Sequence, residues 1–436
     1  MQDSRPHYTF IIIGNGIAGT TLARQIRKRS TESILIVSEE TPYFFSRTAL
    51  MYIFMGHLRF EDTQPYENTF WAKNDIALLQ ARVTTLLPAK NSIILASGET
   101  ISYSTLILAT GSKPKILPNV NTQGEAIQGF YHKWDLENLE QWAATTQQAV
   151  VVGGGLIGVE LAEMLHSRKI EVHFLIRDAY FGAHLLPTEE GQMVTKHLQK
   201  HGIHLHLNDR PEQFILDDIQ RVQGVKTKRG IKLHCQWVGL SIGVSPNLDG
   251  FQDSTVIINK GVVVDEYLKT NIDNIYAIGD CAEMAVPPSG RKKIEPVWYS
   301  GRAMGETLAQ TLCGNPTVYD PGPWFNSAKF FDIEYQTYGQ VSLQPQAEKE
   351  HHLFWQHRHK NCSLRLAYDP KTKRFLGVLA LGIRLRHTHL DRWLRREKSI
   401  AFVIKHLSEV SFDPELTTDY LKTMPFHAQW EALQKK

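Results

Sequence analysis

The chain of 436 residues is 42% hydrophobic and 21% charged with a net charge of +3, a globular composition long enough for about three domains at roughly 150 residues each. Its longest clean apolar run, FLGVLALGI at 375–383, falls far short of the roughly 18 residues of a membrane span, and the polar start MQDSRPHY leads straight into a strand, so neither a spanning helix nor a secretory leader is expected. Cys235, Cys281, Cys313 and Cys362 form no closely spaced pair, which excludes a dithiol centre or a local zinc site and points to a reducing, cytoplasmic setting.

In chain order, residues 11–21 read IIIGNGIAGTT, a run of β-branched residues breaking into G-x-G-x-x-G at Gly14, Gly16 and Gly19 and continuing into helical patterning. In such a loop the first glycine makes the tight strand-to-helix turn, the second lets a pyrophosphate approach the backbone, and the third lets helix and strand pack closely. The helix N-terminus then offers unpaired N–H groups and a positive dipole end to phosphate. About twenty residues on, the strand SILIVSEE ends in Glu39, an acid placed to accept hydrogen bonds from a ribose. A further strand, TLILATGSKP (105–114), ends in Thr-Gly.

The same device returns at 150–160 as VVVGGGLIGVE, with Gly153, Gly155 and Gly158 at the three places. Its following strand, EVHFLIRD, ends in Ile176, Arg177 and Asp178, and farther on NIYAIGDCAE (274–283) is a strand ending in Gly279 and Asp280. Asp280 suits a hydrogen bond to a polyol or, equally, the N-cap of the next segment. Two loops imply two dinucleotides.

With IIIGNGIAG…E, LILATGSKP, VVVGGGLIGVE and IYAIGDCAE in this order, residues 8 to about 310 resemble the pyridine nucleotide-disulfide oxidoreductase superfamily. The resemblance implies an α/β fold: two Rossmann-like dinucleotide-binding domains, for FAD and NAD(P), plus a C-terminal α+β interface domain. The expected division is 1–122 and 246–322 for FAD, 123–245 for NAD(P), and 323–436 for the interface domain. It implies FAD contacts from Gly14, Gly16, Gly19, Glu39, Arg47, Val83, Ala109, Thr110, Gly111, Gly279, Asp280 and Val297. The nicotinamide nucleotide falls to Gly153, Gly155, Gly158, Arg177 and Gly243, the last within WVGLSIGVSPN, which resembles the chain's return from the nicotinamide domain.

The flavin-facing segment of that family is here TPYFFSRTALMYIFMG (41–56), which holds no cysteine, so a thiol relay is excluded. It is similar instead to the Y-x-R-x-x-L segment of ferredoxin, rubredoxin and nitrite reductase flavoproteins, with Arg47 and Leu50 in place and Tyr52 where ferredoxin reductases carry Lys. KKIEPVWYSGRAMGETLAQTL resembles the flavin-facing helix start, with Pro296 suited to the first helical position and Trp298 near the ring. Glu160 resembles the family's nicotinamide-side glutamate. Arg177 suits the 2′-phosphate of NADPH, although the second Arg of that pattern is Ala183 and Asp178 opposes a phosphate; between NADH and NADPH the reading leans to NADPH.

From Pro323 onward 18 Lys and Arg stand against 12 Asp and Glu, so the last quarter carries +6 and the rest −3. LFWQHR, CSLRLAY and FLGVLALGI form an expected three-strand meander. His351, His352, His357 and His359 lack the acid or cysteine spacing of a recognised metal site, so no metal is assigned. Residues 383–407 hold six basic and two acidic residues up to Lys398, with Leu390, Trp393 and Leu394 at helical spacing. A basic surface there would steer an acidic carrier such as ferredoxin or rubredoxin, or rest on anionic lipid.

The sequence therefore predicts an FAD-dependent NAD(P)H oxidoreductase passing electrons to an external acceptor, a small electron-carrier protein first. A quinone at a membrane surface, a small oxidant, and a redox-sensing binding role like that of apoptosis-inducing factor are the alternatives. A homodimer through the last domain and the absence of a nucleic-acid partner complete the expectations.

Overall fold

The computed structural model describes residues 6–118, 120–412, 415, 418 and 420–434. Chain contacts divide it into two units: Met1–Lys115 with Tyr131–Asn138 and Gly243–Pro321, and Ile116–Phe130 with Leu139–Ile242 and Gly322–Lys436.

The first unit is built on a parallel sheet in the order Ile76–Gln80, Ile34–Ser38, His7–Ile13, Thr100–Leu108, with Ile275–Ala277 also parallel to Thr100–Leu108. Its strands are continuous apolar runs, as a sheet covered on both faces requires; Ile11, Ile12, Leu106 and Ile107 have no exposed surface. The helix Ile17–Arg27 buries Ala18, Leu22, Ala23 and Ile26, the spacing of one helical face. It packs against Trp298–Leu312, where a Cβ at Gly305 would lie 2.7 Å from the Ala18 carbonyl oxygen. The antiparallel pair Val83–Leu87 and Ser92–Leu95 extends the sheet through Thr100–Leu108.

The second unit repeats the plan. Its parallel sheet runs His204–Leu207, Glu171–Ile176, Gln148–Val152, Trp237–Leu240, Ile127–Gln128, with a three-stranded antiparallel sheet of Pro211–Leu216, Val222–Thr227 and Lys232–His234. The last quarter forms a five-stranded antiparallel sheet. The expected meander is present as His351–Gln356, Ser363–Tyr368 and Phe375–Leu381, and the hairpin Phe325–Phe330 and Ile333–Gly339 adds two strands. Arg365, on the middle meander strand, is buried in a bidentate pair with Glu190 at 2.8 and 2.9 Å and reaches Glu189 at 2.9 Å. Both acids open the helix Thr188–Lys200, so a buried ion cluster ties that helix to the antiparallel sheet. Removing one member of such a pair is costly because the other is left charged and dry.

Two expectations need adjusting. The basic stretch 383–407 is two short helices, His387–Arg395 and Ile400–Lys405, because Glu397 adopts a left-handed conformation (φ 46°) and the Ser399 hydroxyl caps the second helix by accepting from Phe402 N–H at 3.2 Å. Pro296 lies outside the helix it was assigned to open: Trp298 is the first helical residue and Val297 the N-cap.

Candidate functional site

At the strand-to-helix turn both glycine loops take the same geometry. Gly14 has φ +114° and Gly153 φ +116°, values that L side chains avoid. A Cβ on Gly14 would lie 2.1 Å from the Ala109 carbonyl oxygen; one on Gly153 would lie 2.4 Å from that of Ser241. In both cases the oxygen follows the next strand of the parallel sheet, Thr100–Leu108 or Trp237–Leu240. At the third position a Cβ on Gly19 or Gly158 would sit 2.1 Å from the first glycine's own carbonyl oxygen. Only glycine permits either close approach.

The middle glycines face outward. Nothing lies within 4 Å of a Cβ built on Gly16, and Gly155 meets only the His184 ring, at 3.7 Å. Both are N-caps without a side-chain hydrogen bond, so each helix presents its first N–H groups to whatever occupies the open side.

Around the first loop the unit gathers the remaining elements. Gly279 and Gly301 approach the loop helix, their Cβ positions 3.1 Å from Ala18 Cβ and 3.3 Å from Ile17 Cγ2. Asp280 accepts a hydrogen bond from the Ser112 hydroxyl at 2.9 Å; burial pushes its carboxyl up, against the pull of that hydrogen bond and of the Arg47 charge. Thr110 donates its hydroxyl to the Asn247 carbonyl at 2.6 Å, fixing the turn through Ala109, Thr110 and Gly111. Val297 and Trp298 begin the helix against the loop, with Arg302 5.9 Å over the Trp298 ring. Val83 is buried at the start of its strand, and Gly243 turns with φ +101° at Lys115.

Glu39 stands past the carboxyl end of Ile34–Ser38, half-exposed and loosely paired with Arg82 at 3.7 Å. Its neighbour Glu40 takes the inward place. It receives both Arg47 guanidinium nitrogens at 3.1 and 2.6 Å, the Lys133 N–H at 2.7 Å, and lies 3.5 Å from His132 Nδ1. Burial alone would raise its pKa; the His132 and Arg47 hydrogen bonds and the Arg47 charge overcome this and hold it at about 2. Arg47 also donates to the Tyr131 carbonyl at 2.6 Å and stacks on the Tyr131 ring at 4.6 Å. Glu40 lies beyond the strand end at Ser38, and only its position next to Glu39 pointed to it. Ser112, Tyr131 and His132 carried no comparable signal.

Around the second loop, Ile176 is fully buried beneath the turn, 2.9 Å from where a Cβ on Gly154 would stand. Arg177 is exposed, with Asp178 at 3.4 Å. Ser241 pins the loop by donating to the Val152 and Gly153 carbonyls at 2.8 and 3.0 Å. Glu160, half-buried one turn into the helix Leu156–Ser167, is pushed up to about 7 by burial and then by Glu163. Of the cysteines, Cys281 is buried and its thiol faces the Leu108 carbonyl at 3.3 Å; none lies in 41–56. Burial drives the Cys281 thiol up, away from the thiolate that redox chemistry needs.

Comparison with known proteins agrees with this arrangement. The family described as pyridine nucleotide-disulphide oxidoreductase matches residues 8–305. The chain is 29% identical over 342 residues to a 5,5'-dehydrodivanillate O-demethylase ferredoxin reductase subunit of Sphingobium, covering 77% of this chain and 82% of that one. It is 29% identical to the rhodocoxin reductase of Rhodococcus erythropolis, covering 74% and 76%. It matches the nitrite reductase [NAD(P)H] of Bacillus subtilis at 26% over 70% of its own length but spans only 38% of that relative. Among solved structures, a ferredoxin reductase of Rhodopseudomonas palustris superposes with a TM-score of 0.78 at 22% identity, covering 86% of this chain and 91% of that one. NADH:rubredoxin oxidoreductase of Clostridium acetobutylicum superposes with 0.71 at 21%, covering 96% and 100%.

Proposed function

From the chain's membership of the pyridine nucleotide-disulphide oxidoreductase family, to which it belongs, we propose a division of labour between its twin loops: FAD in the first, a reduced nicotinamide nucleotide in the second, and a small electron-carrier protein as the final acceptor. The duplicated loop geometry, with Gly14 and Gly153 matching in φ and in carbonyl approach, supports two bound nucleotides, and the buried Asp280–Ser112 pair beside the first loop supports placing the flavin there. Residues 1–122 and 246–322 form the FAD domain in this reading, 123–245 the nucleotide domain and 323–436 the interface domain.

The first unit fits the flavin cofactor. Gly16 leaves open backbone for a pyrophosphate, Glu39 is exposed at the strand end for a ribose, and Asp280 offers its second carboxylate oxygen beside Ser112 for a polyol. The N-terminal end of Trp298–Leu312 favours negative charge near it, with Trp298 at the opening turn. Bound FAD supplies the hydride and single-electron chemistry; the protein's share is to bind, orient and bias. Arg47, held by Glu40 and Tyr131, acts as a fixed positive charge that Asp280 also feels. No side chain need exchange a proton with the flavin's reductant, and burial raises the Glu160 carboxyl on the helix after the second loop to about 7.

NADPH is the nucleotide we assign. Arg177 is the one base at the strand end facing solvent, and Ile176 beneath the loop offers no acid to a ribose 2′-hydroxyl. The acceptor we assign is an acidic carrier, named as such for the chain's ferredoxin- and rhodocoxin-reductase relatives. Arg386, Arg392 and Arg396 are exposed on the last domain, while Leu390 and Trp393 of the same helix are 1% and 4% exposed. The helix therefore has a charged face to give to a protein and no free apolar face to give to a bilayer, and no helix among the described residues is long and apolar enough to cross a membrane. The free thiols suit a reducing, cytoplasmic setting.

The test is anaerobic. Purified yellow protein is bleached by NADPH and NADH in separate stopped-flow runs, then reoxidised by ferredoxin, rubredoxin, a quinone and oxygen. Rapid, salt-suppressed reoxidation by one iron–sulfur carrier is the expected result. Flavin-free protein that cannot be reconstituted, or equally slow turnover with every acceptor, overturns the proposal.

A further inference from the structure

In the second unit, three metal-ligating side chains converge. His197 and His201 stand four residues apart at the C-terminal end of Thr188–Lys200, on one helical face. Asp332 occupies the turn of the hairpin Phe325–Phe330 and Ile333–Gly339, where Phe331 takes φ +57°. One ligand atom from each lies within 4.8 Å of the others, and this is the one such group of three among the described residues. Asp332 Oδ1 touches His197 Nε2 and lies 3.8 Å from His201 Nε2. Tetrahedral ligands at about 2.0–2.1 Å from zinc are separated by roughly 3.3 Å, so side-chain adjustments would bring the three ligand atoms, which lie within 4.8 Å of one another, to coordinating distances.

The surroundings point the same way. His197 is 4% exposed, and its Nε2 faces the Asp332 carboxylate, which is itself open to solvent. His201 Nδ1 lies 3.1 Å from the His197 carbonyl oxygen; a proton there leaves the Nε2 lone pair bare toward Asp332, the outer-shell bond that metal-binding imidazoles make. On the other side of His197, the Asn361 carboxamide lies 2.8 Å from Nδ1. A half-turn of that carboxamide places its oxygen to accept from Nδ1–H, freeing Nε2 in the same way.

We propose that His197, His201 and Asp332 form a binding site for a divalent transition-metal ion of the zinc class, which pins the hairpin of the last domain to the helix Thr188–Lys200. Two imidazoles and one carboxylate suit zinc, cobalt or nickel rather than calcium or magnesium, and the exposed side at Asp332 leaves a fourth position for water. The same helix and domain are already joined through Glu190 and Arg365. The ion thus adds a second, reversible clasp, and its stabilisation grows with metal concentration. This inference does not depend on the redox reading.

The experiment uses the 436-residue chain as purified, stripped with EDTA and exchanged into metal-free buffer. ZnCl2 is titrated calorimetrically, and CoCl2 is followed by its visible ligand-field bands. One saturable site per chain is expected, with a melting temperature that rises with free zinc. His201→Ala and Asp332→Ala should each weaken binding by on the order of 100-fold. Asn361→Asp, which turns the outer-shell partner of His197 into a permanent acceptor, should tighten it. His204→Ala, at the separate surface stack where His204 meets Glu171 at 3.2 Å, should leave it unchanged. Absence of saturable binding up to millimolar zinc overturns the proposal. So does binding that survives both alanine variants, or that is lost in His204→Ala, since adventitious surface histidines would then explain it.

Discussion

The two glycine loops agree within two degrees at their first residue and differ in nearly everything that faces them. The first is enclosed by fixed charge: Asp280 on Ser112, and Arg47 locked between Glu40 and Tyr131. The second is bordered by the exposed Arg177–Asp178 pair, the His184 ring above Gly155, and a Glu160 carboxyl that burial raises to about 7. A rigid, saturated surround suits a group that stays; a loose, titratable one suits a group that comes and goes. Backbone geometry alone is therefore mute about which loop keeps its nucleotide, and side-chain networks decide it.

The largest expected effect separates the loops outright. Gly14→Ala places a Cβ on top of the Ala109 carbonyl in a backbone conformation costing about 1–3 kcal/mol for any L side chain. It should yield protein with little bound flavin and no activity. Gly153→Ala meets Ser241 in the same way, yet should remain yellow while kcat/KM for the nicotinamide nucleotide falls about 100-fold, roughly 2.8 kcal/mol of transition-state binding. Absorbance spectra and steady-state kinetics of the pair suffice, and equal flavin loss in both variants would break the contrast.

Such positions are legible in sequence because a glycine constrained by φ and by a neighbouring carbonyl leaves a fixed spacing behind. The parallel strands were equally plain, since a sheet covered on both faces must be apolar throughout. The Glu40–Arg47–Tyr131 network was not, as its members come from residues 40, 47 and 131 and meet only through long-range packing. The same holds for Arg365 with Glu190, 175 positions apart. The break at Glu397 escaped the helical pattern because apolar spacing continues smoothly through Ile400 and Val403 while the backbone turns left-handed. Segment 131–138 groups with the first unit through contacts that no local composition announces.

The surrounds also titrate in opposite directions. Glu40, held at about 2 against an ordinary 4.5, favours the folded state above pH 4.5, and that contribution is lost as pH falls from 4.5 through 2. Glu160, lifted to about 7, costs stability when ionised, so its effect is absent below pH 4.5, and the fold weakens as pH rises from 4.5 through 7. Each shift corresponds to a change of about 3 kcal/mol at most. Denaturation followed across pH should show Glu40→Gln flattening the acid arm and Glu160→Gln flattening the neutral one. Glu160→Gln should also remove an inflection near pH 7 from the rate of flavin reduction, and an unchanged pH profile would reduce Glu160 to a packing role.

The smallest effect sharpens the nucleotide end of the comparison. Arg177 is 76% exposed and shares its charge with Asp178 at 3.4 Å, so any pairing with a 2′-phosphate is heavily screened. Arg177→Ala should therefore cost NADPH only about tenfold in KM, about 1.4 kcal/mol, with NADH untouched and with the difference shrinking as salt is added. Asp178→Asn should act in reverse, relieving the opposing charge and improving NADPH by a few-fold at low ionic strength. If instead Arg177→Ala leaves both nucleotides alike, the strand end does not read the 2′-position. The fully buried Ile176 then explains why: with no acid at that place and no effective base, the second loop would hold its nucleotide by backbone and pyrophosphate alone, the one contact it has in common with the first.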